Sequence, residues 1–215
     1  MFKLIIGNKN YSSWSLRPWL VLRMLDEPFT EHQIPLYQAD SKERIRAVSP
    51  TGRVPLLIDG QLAIWDSLAI FEYLAECFPG ARLWPLDREA RALARAVSAE
   101  MHSGFLALRE NCPMDITHEG KTLPNLPAVQ ADIERIVAIW ENLRQRFQDD
   151  GPFLFGHFTL ADAMYAPVVT RFKTYGVELP PASQAYSDHI LSLPAMREWC
   201  AAARAEIAAG MLAPY

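Results

Sequence analysis

The sequence predicts an α/β domain followed by an all-α helical domain. Residues 1–79 contain segments with the order strand, helix, strand, hairpin and helix. The following run, Pro-Gly-Ala-Arg-Leu-Trp-Pro-Leu-Asp at 79–87, has two prolines and a glycine, which interrupt helices. Beyond it, apolar residues recur at helical spacing. We therefore predict an α/β domain at 1–79, a linker at 80–87 and a helical domain at 88–215.

Composition and charge limit the classes of partner. The chain is 50% hydrophobic and 21% charged, as in ordinary soluble globular proteins, and its net charge of −4 disfavours a phosphate-backbone binder. No apolar run approaches the roughly 20 residues of a membrane helix, and no signal-peptide pattern opens the chain. The three cysteines are far apart and form no CxxC pair. We expect a cytoplasmic protein that binds neither nucleic acid nor membrane.

The first elements follow from local patterns. Phe2–Ile6 is a short apolar strand, and the next apolar periodicity predicts a helix through about residue 25. Because proline is tolerated in a helix's first turn, Pro18 places the start of this helix close to Ser15. A second strand is predicted at 30–36, and a loosely helical region follows at 38–46.

A hairpin and a helix form the stretch around which the chain is organised. The apolar run 54–58 predicts a buried strand, and Asp59-Gly60 suits a tight turn before a partner strand at 62–65. Pro55 stands at the mouth of the first strand, where its missing N–H disfavours pairing. Such a proline is often in the cis form.

The dipeptide Asp66-Ser67 opens the next helix. A helix N-terminus offers unpaired N–H groups and partial positive charge, so it favours a bound carboxylate. Asp66 beside it provides a partner for an ammonium group. The corner therefore suits the α-ammonium and α-carboxylate of one amino acid.

These residues resemble the thioredoxin-like, glutathione-binding domain of the glutathione transferases. The pattern is most similar to that of the zeta class, which includes maleylacetoacetate isomerase; it consists of Val54-Pro55, Ile58-Asp59-Gly60, Asp66-Ser67-Leu68-Ala69-Ile70 and Glu72-Tyr73-Leu74. The resemblance implies that Val54 and a cis Pro55 bind the cysteinyl backbone of glutathione. It also implies that Asp66 and Ser67 hold the γ-glutamyl end. Arg53, with Gln38 or Lys42, is a candidate for the glycyl carboxylate.

The predicted chemistry lies in Ser12-Ser13-Trp14-Ser15-Leu16-Arg17, which resembles the zeta-class Ser-Ser-Cys-Ser-Trp-Arg. A hydroxyl at a helix N-terminus stabilises the reactive thiolate of glutathione more than its thiol. The resemblance assigns this role to Ser12, and Ser13 and Tyr11 remain alternatives. Trp14 replaces the motif's cysteine. Because no cysteine occupies 12–15, exchange through an enzyme mixed disulfide, as in glutaredoxin or omega-type proteins, is disfavoured.

In the second half, apolar periodicity predicts helices at 88–111, 127–147 and 192–209. Thr159-x-x-Asp162 before an apolar run has the capping-box pattern, with Asp in the place usually held by Glu. The transferases carry this box at the start of a buried central helix. The resemblance therefore implies a structural role for Asp162.

The electrophile side of the site has weaker candidates. The resemblance places His102 and Phe105 in the helix that faces the electrophile, and Tyr11 and Trp14 are further candidates. The five histidines are scattered and no HExxH motif is present, so we predict no metal site.

The resulting functional hypothesis is a glutathione transferase. A serine hydroxyl stabilises the glutathione thiolate, which attacks small apolar electrophiles in a detoxification reaction. Glutathione is the co-substrate, no cofactor is bound permanently, and the resemblance implies a homodimer. Three alternatives remain: a glutathione-dependent cis–trans isomerase of the maleylacetoacetate type, a non-catalytic glutathione-binding or scaffold protein, and a glutathione peroxidase-like side activity.

Overall fold

A computed structural model describes residues 1–210, and its first part is a four-stranded mixed sheet with three helices. In chain order the elements are β1 Phe2–Ile6, α1 Ser13–Met24, β2 Phe29–Gln33, α2 Ser41–Arg46, β3 Leu56–Asp59, β4 Leu62–Trp65 and α3 Ser67–Cys77. The strand order is β2-β1-β3-β4. Strand β1 runs parallel to β2 and antiparallel to β3, which pairs antiparallel with β4. The predicted order of elements is confirmed.

The second part is helical, as predicted. A 3₁₀ turn at Pro79–Ala81 precedes α4 Arg88–Ser103, α5 Leu106–Asn111, α6 Pro127–Phe147, α7 Leu160–Thr174, α8 Pro181–Ser192 and α9 Pro194–Ala208. Helix α6 has the predicted bounds, and the predicted capping box of Thr159 and Asp162 opens α7. None of the helices within residues 1–210 combines the length and apolarity of a membrane span.

Helix α7 lies at the centre of the molecule. All of its residues except Lys173 are buried, and α1 and α4 pack against it. A helix that is buried on nearly all sides gains its stability from the core around it, because burial of its apolar side chains provides the favourable free energy. One continuous hydrophobic core therefore joins the sheet side of α1 to the helical bundle, and it includes Trp19, Trp140 and Trp199.

Helix α1 differs from the prediction. It begins at Ser13, and Pro18 lies inside the helix, so the prediction that Pro18 belongs to the first turn was wrong. A proline at this position removes the N–H that would bond to the carbonyl of Trp14. The burial of Leu16, Trp19 and Leu20 offsets this loss, because packing overrides local propensity.

The helix predicted over 88–111 is two helices. Helix α4 ends at Ser103, Gly104 is extended, and Phe105 adopts a left-handed conformation with φ of 56° before α5 starts. A Cβ at position 104 would lie 2.8 Å from the carbonyl oxygen of Glu100, so glycine permits the sharp break. The prediction of one helix was wrong because apolar spacing continues across the break.

The loop between β1 and α1 is fixed by the helical part of the chain. Asn10 donates through Nδ2 to Asp115 at 2.8 Å and accepts the N–H of Thr117 at 3.0 Å. Glu206 accepts the N–H of Lys9 at 2.8 Å. These contacts hold the segment that leads directly into the N-terminus of α1, where the chemistry is predicted.

Candidate functional site

A cleft of about 460 Å³ opens between the sheet part and the helical part of the molecule. Its lining comes from the start of α1, the loop before β3, the end of β4, the start of α3, and α5. The lining residues are Trp14, Thr51, Arg53, Val54, Pro55, Trp65, Asp66, Ser67 and Arg109. The cleft brings together five residues predicted to bind glutathione, from two separate stretches of sequence, whereas the further candidates Gln38 and Lys42 are not among its lining residues.

The floor of the cleft carries the predicted proline geometry. The peptide bond between Val54 and Pro55 is cis, as expected, and it leads directly into β3. Strand β3 is held on both sides, by β1 and β4, and the predicted turn at Asp59-Gly60 joins it to β4. A central strand of the sheet therefore fixes the position of Val54 and Pro55.

The corner at Asp66 and Ser67 has the properties of a ligand site. Asp66 caps α3 by accepting the N–H of Leu68 at 2.8 Å, and its φ of 73° is unusual for a residue other than glycine. Ser67 is only 1% exposed, and its hydroxyl has no hydrogen-bond partner within residues 1–210. A buried hydroxyl without a partner at a helix N-terminus is suited to a bound anion.

The helical part reaches this corner through His102 of α4. Its Nε2 lies 3.2 Å from Oδ2 of Asp66, and its ring meets the Trp14 ring edge-on at 5.3 Å between centroids. Burial lowers the pKa of His102, and the Asp66 carboxylate opposes this effect. His102 thus supports Asp66 and Trp14 from the opposite side.

The candidate serines lie beside the cleft at the start of α1. Ser12 and Ser13 are 6% and 8% exposed and are not among the lining residues. The hydroxyl of Ser12 donates to Oγ of Ser15 at 2.7 Å, and Ser15 also accepts the N–H of Gly7 at 3.0 Å. The hydroxyl of Ser13 instead accepts from Nη2 of Arg171 at 3.2 Å. The Ser12–Ser15 pair was not predicted, although a spacing of three residues in a helix brings side chains together.

Two arginines hold the Trp14 ring. The guanidinium carbons of Arg17 and Arg109 lie 4.3 and 4.7 Å from the centroid of the ring. Arg109 donates to the carbonyls of His102 and Gly104, both at 3.2 Å. Neither arginine was predicted to take part in the site. The available signals for Arg17 were its charge within the apolar run of α1 and its match to the arginine of the zeta-class motif.

The remaining candidates lie away from the lining. Tyr11 packs edge-on against Tyr37 with 6.4 Å between ring centroids, and Phe105 is 7% exposed within the hydrophobic core. Among residues 1–210, no group of three or more His, Cys, Asp or Glu side chains is arranged to hold a metal ion.

The fold and the cleft define a two-part protein with a thioredoxin-like sheet domain and a helical second domain. The family model for the glutathione S-transferase N-terminal domain matches residues 11–77, and the model for the glutathione S-transferase C-terminal domain matches residues 126–202. The chain belongs to the glutathione transferase family, and the predicted family is thereby confirmed.

Two isomerases are among its relatives. The chain is 29% identical over 172 residues to a probable maleylacetoacetate isomerase of Caenorhabditis elegans, covering 79% of this chain and 78% of the relative. It is 30% identical over 172 residues to the maleylacetoacetate isomerase of Rattus norvegicus, covering 79% and 77%. Its fold matches a glutathione transferase homologue from Burkholderia gl BGR1 with bound glutathione, with a TM-score of 0.72, 26% identity and coverage of 95% and 98%.

Proposed function

We propose that this protein binds glutathione in the cleft and transfers it to small electrophiles. The observation that carries the proposal is the unpartnered hydroxyl of Ser67, buried beside Asp66 at the N-terminus of α3. The glutathione seen in the Burkholderia homologue supports the same choice of ligand. In this proposal residues 1–79 form the glutathione domain and 88–215 the helical domain, in a cytoplasmic homodimer that serves detoxification.

The lining residues match the charges of glutathione. The Asp66 carboxylate pairs with the γ-glutamyl ammonium, while the Ser67 hydroxyl and the first N–H groups of α3 bind the γ-glutamyl carboxylate. The backbone of Val54 bonds the cysteinyl unit, and Arg53 binds the glycyl carboxylate. This orientation directs the cysteinyl sulfur toward the N-terminus of α1.

The proposed reaction is a nucleophilic attack by the glutathione thiolate. Ser12 donates a hydrogen bond to the sulfur and stabilises its ionised form. The sulfur lone pair forms the new S–C bond, and the leaving group departs with the electrons of the bond that breaks. The apolar rings of Trp14 and Trp65 provide surface for the electrophile beside the sulfur.

We expect Ser67→Ala to weaken glutathione binding by about tenfold to a hundredfold, because a hydrogen bond to a charged carboxylate contributes about 1.5–3 kcal/mol. Isothermal titration calorimetry with glutathione measures the change. Ser98→Ala is the matched control, since Ser98 of α4 is also fully buried with an unpartnered hydroxyl but is not part of the cleft lining.

Equal affinities for the Ser67→Ala and unmodified proteins would contradict the proposed position of glutathione. Tight binding without turnover of any model electrophile would instead support the alternative of a non-catalytic binding or scaffold protein.

A second candidate function is glutathione-dependent cis–trans isomerisation, which is favoured by the two maleylacetoacetate isomerases among the relatives. In this reaction the thiolate adds to a double bond, the bond rotates, and the thiolate is expelled unchanged. The expected result is conversion of a maleyl substrate to its trans isomer at constant glutathione concentration, followed by absorbance and thiol titration. Consumption of glutathione in proportion to the maleyl substrate would favour conjugation over isomerisation.

A further inference from the structure

Arg17 is a buried cation with few partners. It lies in α1, is 2% exposed, and its Nε and Nη1 atoms have no hydrogen-bond partner within residues 1–210. Its guanidinium stacks on the face of Trp14, which lines the cleft. A buried charge without an ion pair destabilises a folded protein, whereas an apolar side chain of similar size would not. The free protein therefore retains Arg17 at a cost in stability.

The charges around Arg17 increase this cost. Burial lowers its pKa to about 9, and the neighbouring Arg171 of α7 and Arg109 of α5 contribute to the lowering. Asp66 and Tyr165 act in the opposite direction, and His102 of α4 also interacts electrostatically with Arg17. Two arginines thus face Arg17, and Asp66 is the carboxylate named against them, so positive charge predominates around this group.

The charges of bound glutathione identify the missing partner. In the proposed position, Asp66 pairs with the ammonium, Ser67 and α3 bind one carboxylate, and Arg53 binds the other. The remaining charge is the thiolate, whose expected position at the start of α1 is on the Trp14 side of the cleft.

We propose that Arg17 stabilises the thiolate of bound glutathione electrostatically, through the Trp14 ring that separates it from the cleft. The inference rests on the proposed function, since it requires glutathione in this cleft. Arg17 acts at a distance, so it is a positioning residue whose charge complements that of the sulfur, and Ser12 provides the direct hydrogen bond.

Burial makes such an interaction effective. The Trp14 ring and the core around α1 exclude water, so the field of Arg17 is screened much less than that of a surface arginine. The charge is also fixed before the ligand binds, so no reorganisation is needed when the thiol ionises. Interactions that cost stability are frequent at functional sites.

The test is Arg17→Met, with the thiolate absorbance of bound glutathione titrated against pH. We expect the pKa of the bound thiol to rise by about one unit or more, which reduces the thiolate fraction about tenfold at a pH below both values. The thermal midpoint of the glutathione-free variant should be unchanged or higher. Arg23→Met is the matched control, because Arg23 is an exposed arginine on the same helix, paired with Glu198.

Several outcomes would overturn the inference. Glutathione that binds Arg17→Met with an unchanged thiol pKa would remove the role of Arg17 while leaving the proposed function intact, whereas absence of binding to the unmodified protein would remove both. A loss of kcat/KM confined to carboxylate-bearing electrophiles, with the same thiol pKa, would show that the partner is a substrate carboxylate.

Two further measurements do not depend on the folding of Arg17→Met. Arg17→Lys keeps an ionisable cation, but burial lowers the pKa of a lysine without an ion pair, so it should retain part of the lowering of the thiol pKa, and less of it than the unmodified protein. In the unmodified protein, this lowering should resist added salt, since a buried charge is weakly screened. If molar salt abolishes the lowering of the thiol pKa, the charge that causes it is not buried, and the inference is wrong.

Discussion

Replacing Ser12 with alanine is expected to lower kcat/KM for glutathione conjugation about a hundredfold and to raise the pKa of the bound thiol. A hundredfold loss is the typical effect of removing one fixed hydrogen-bond donor that stabilises an anion in an active site. Ser12 precedes the first residue of α1, where the helix dipole also favours negative charge. Absorbance of the bound thiolate and steady-state kinetics measure the two effects.

The hydrogen bonds around Ser12 explain how it can serve the thiolate. In the free protein its hydroxyl donates to Ser15, which accepts the N–H of Gly7. A hydroxyl rotates at little cost, so in the complex Ser15 can donate to Ser12 while Ser12 donates to the sulfur. Each bond in such a chain polarises the next. We therefore expect Ser15→Ala to cause a smaller loss in the same direction.

The control for these variants is Ser192→Ala, which removes an exposed hydroxyl at the end of α8. If Ser12→Ala retains the lowered thiol pKa while Ser13→Ala loses it, the donor is Ser13. In that case Arg171 would act by polarising the Ser13 hydroxyl, to which it donates at 3.2 Å. Retention of the shift in both variants would favour Tyr11.

Local signals in the sequence predicted much of the fold and part of the candidate site. The dipeptide Asp59-Gly60 predicts the hairpin of β3 and β4, and Asp66 predicts the N-terminal cap of α3. The spacing of Thr159 and Asp162 predicts the capping box of α7. Each of these features depends on backbone geometry within a few residues. The Val54-Pro55 pattern predicted a cis bond for the same reason. The grouping of these residues in one cleft was predicted only through the family resemblance.

The features that local patterns missed depend on contacts between distant segments. Pro18 lies inside α1 because the core buries its neighbours, and no local rule reports that burial. The break at Gly104 interrupts an apolar pattern that continues on both sides. The role inferred for Arg17 depends on Arg109 and Arg171, which lie far away in the sequence. Local pattern gives the residue types of a site, and tertiary packing determines which charges lack partners.

The largest loss of stability is expected for Asp162→Ala, at about 3–5 kcal/mol in the free energy of unfolding. The fully buried carboxylate accepts the N–H of Leu154 at 3.0 Å, the N–H of Thr159 at 2.7 Å and the hydroxyl of Thr159 at 2.9 Å. Alanine leaves these donors unsatisfied at the start of the central helix. Urea unfolding at constant pH measures the loss.

The matched control is Asp87→Ala. Asp87 caps α4 by accepting the N–H of Ala90 at 2.8 Å, but it is exposed, so water can replace its carboxylate and the loss should be much smaller. Comparable losses for the two variants would show that burial adds nothing to the capping box, which would contradict the prediction for Asp162.

We also expect the contribution of Asp162 to stability to depend on pH, with a sign opposite to that of a usual carboxylate cap. Burial raises the pKa of Asp162 from 3.8 to about 6, while its hydrogen bonds oppose the rise. Because the folded pKa exceeds the unfolded one, the native state binds the proton more tightly. This contribution to stability is complete below about pH 4 and is lost as the pH rises through about 6. The free energy of unfolding, measured relative to Asp162→Asn, should therefore decrease across this range. An increase would mean that the hydrogen bonds to the ionised carboxylate outweigh its desolvation.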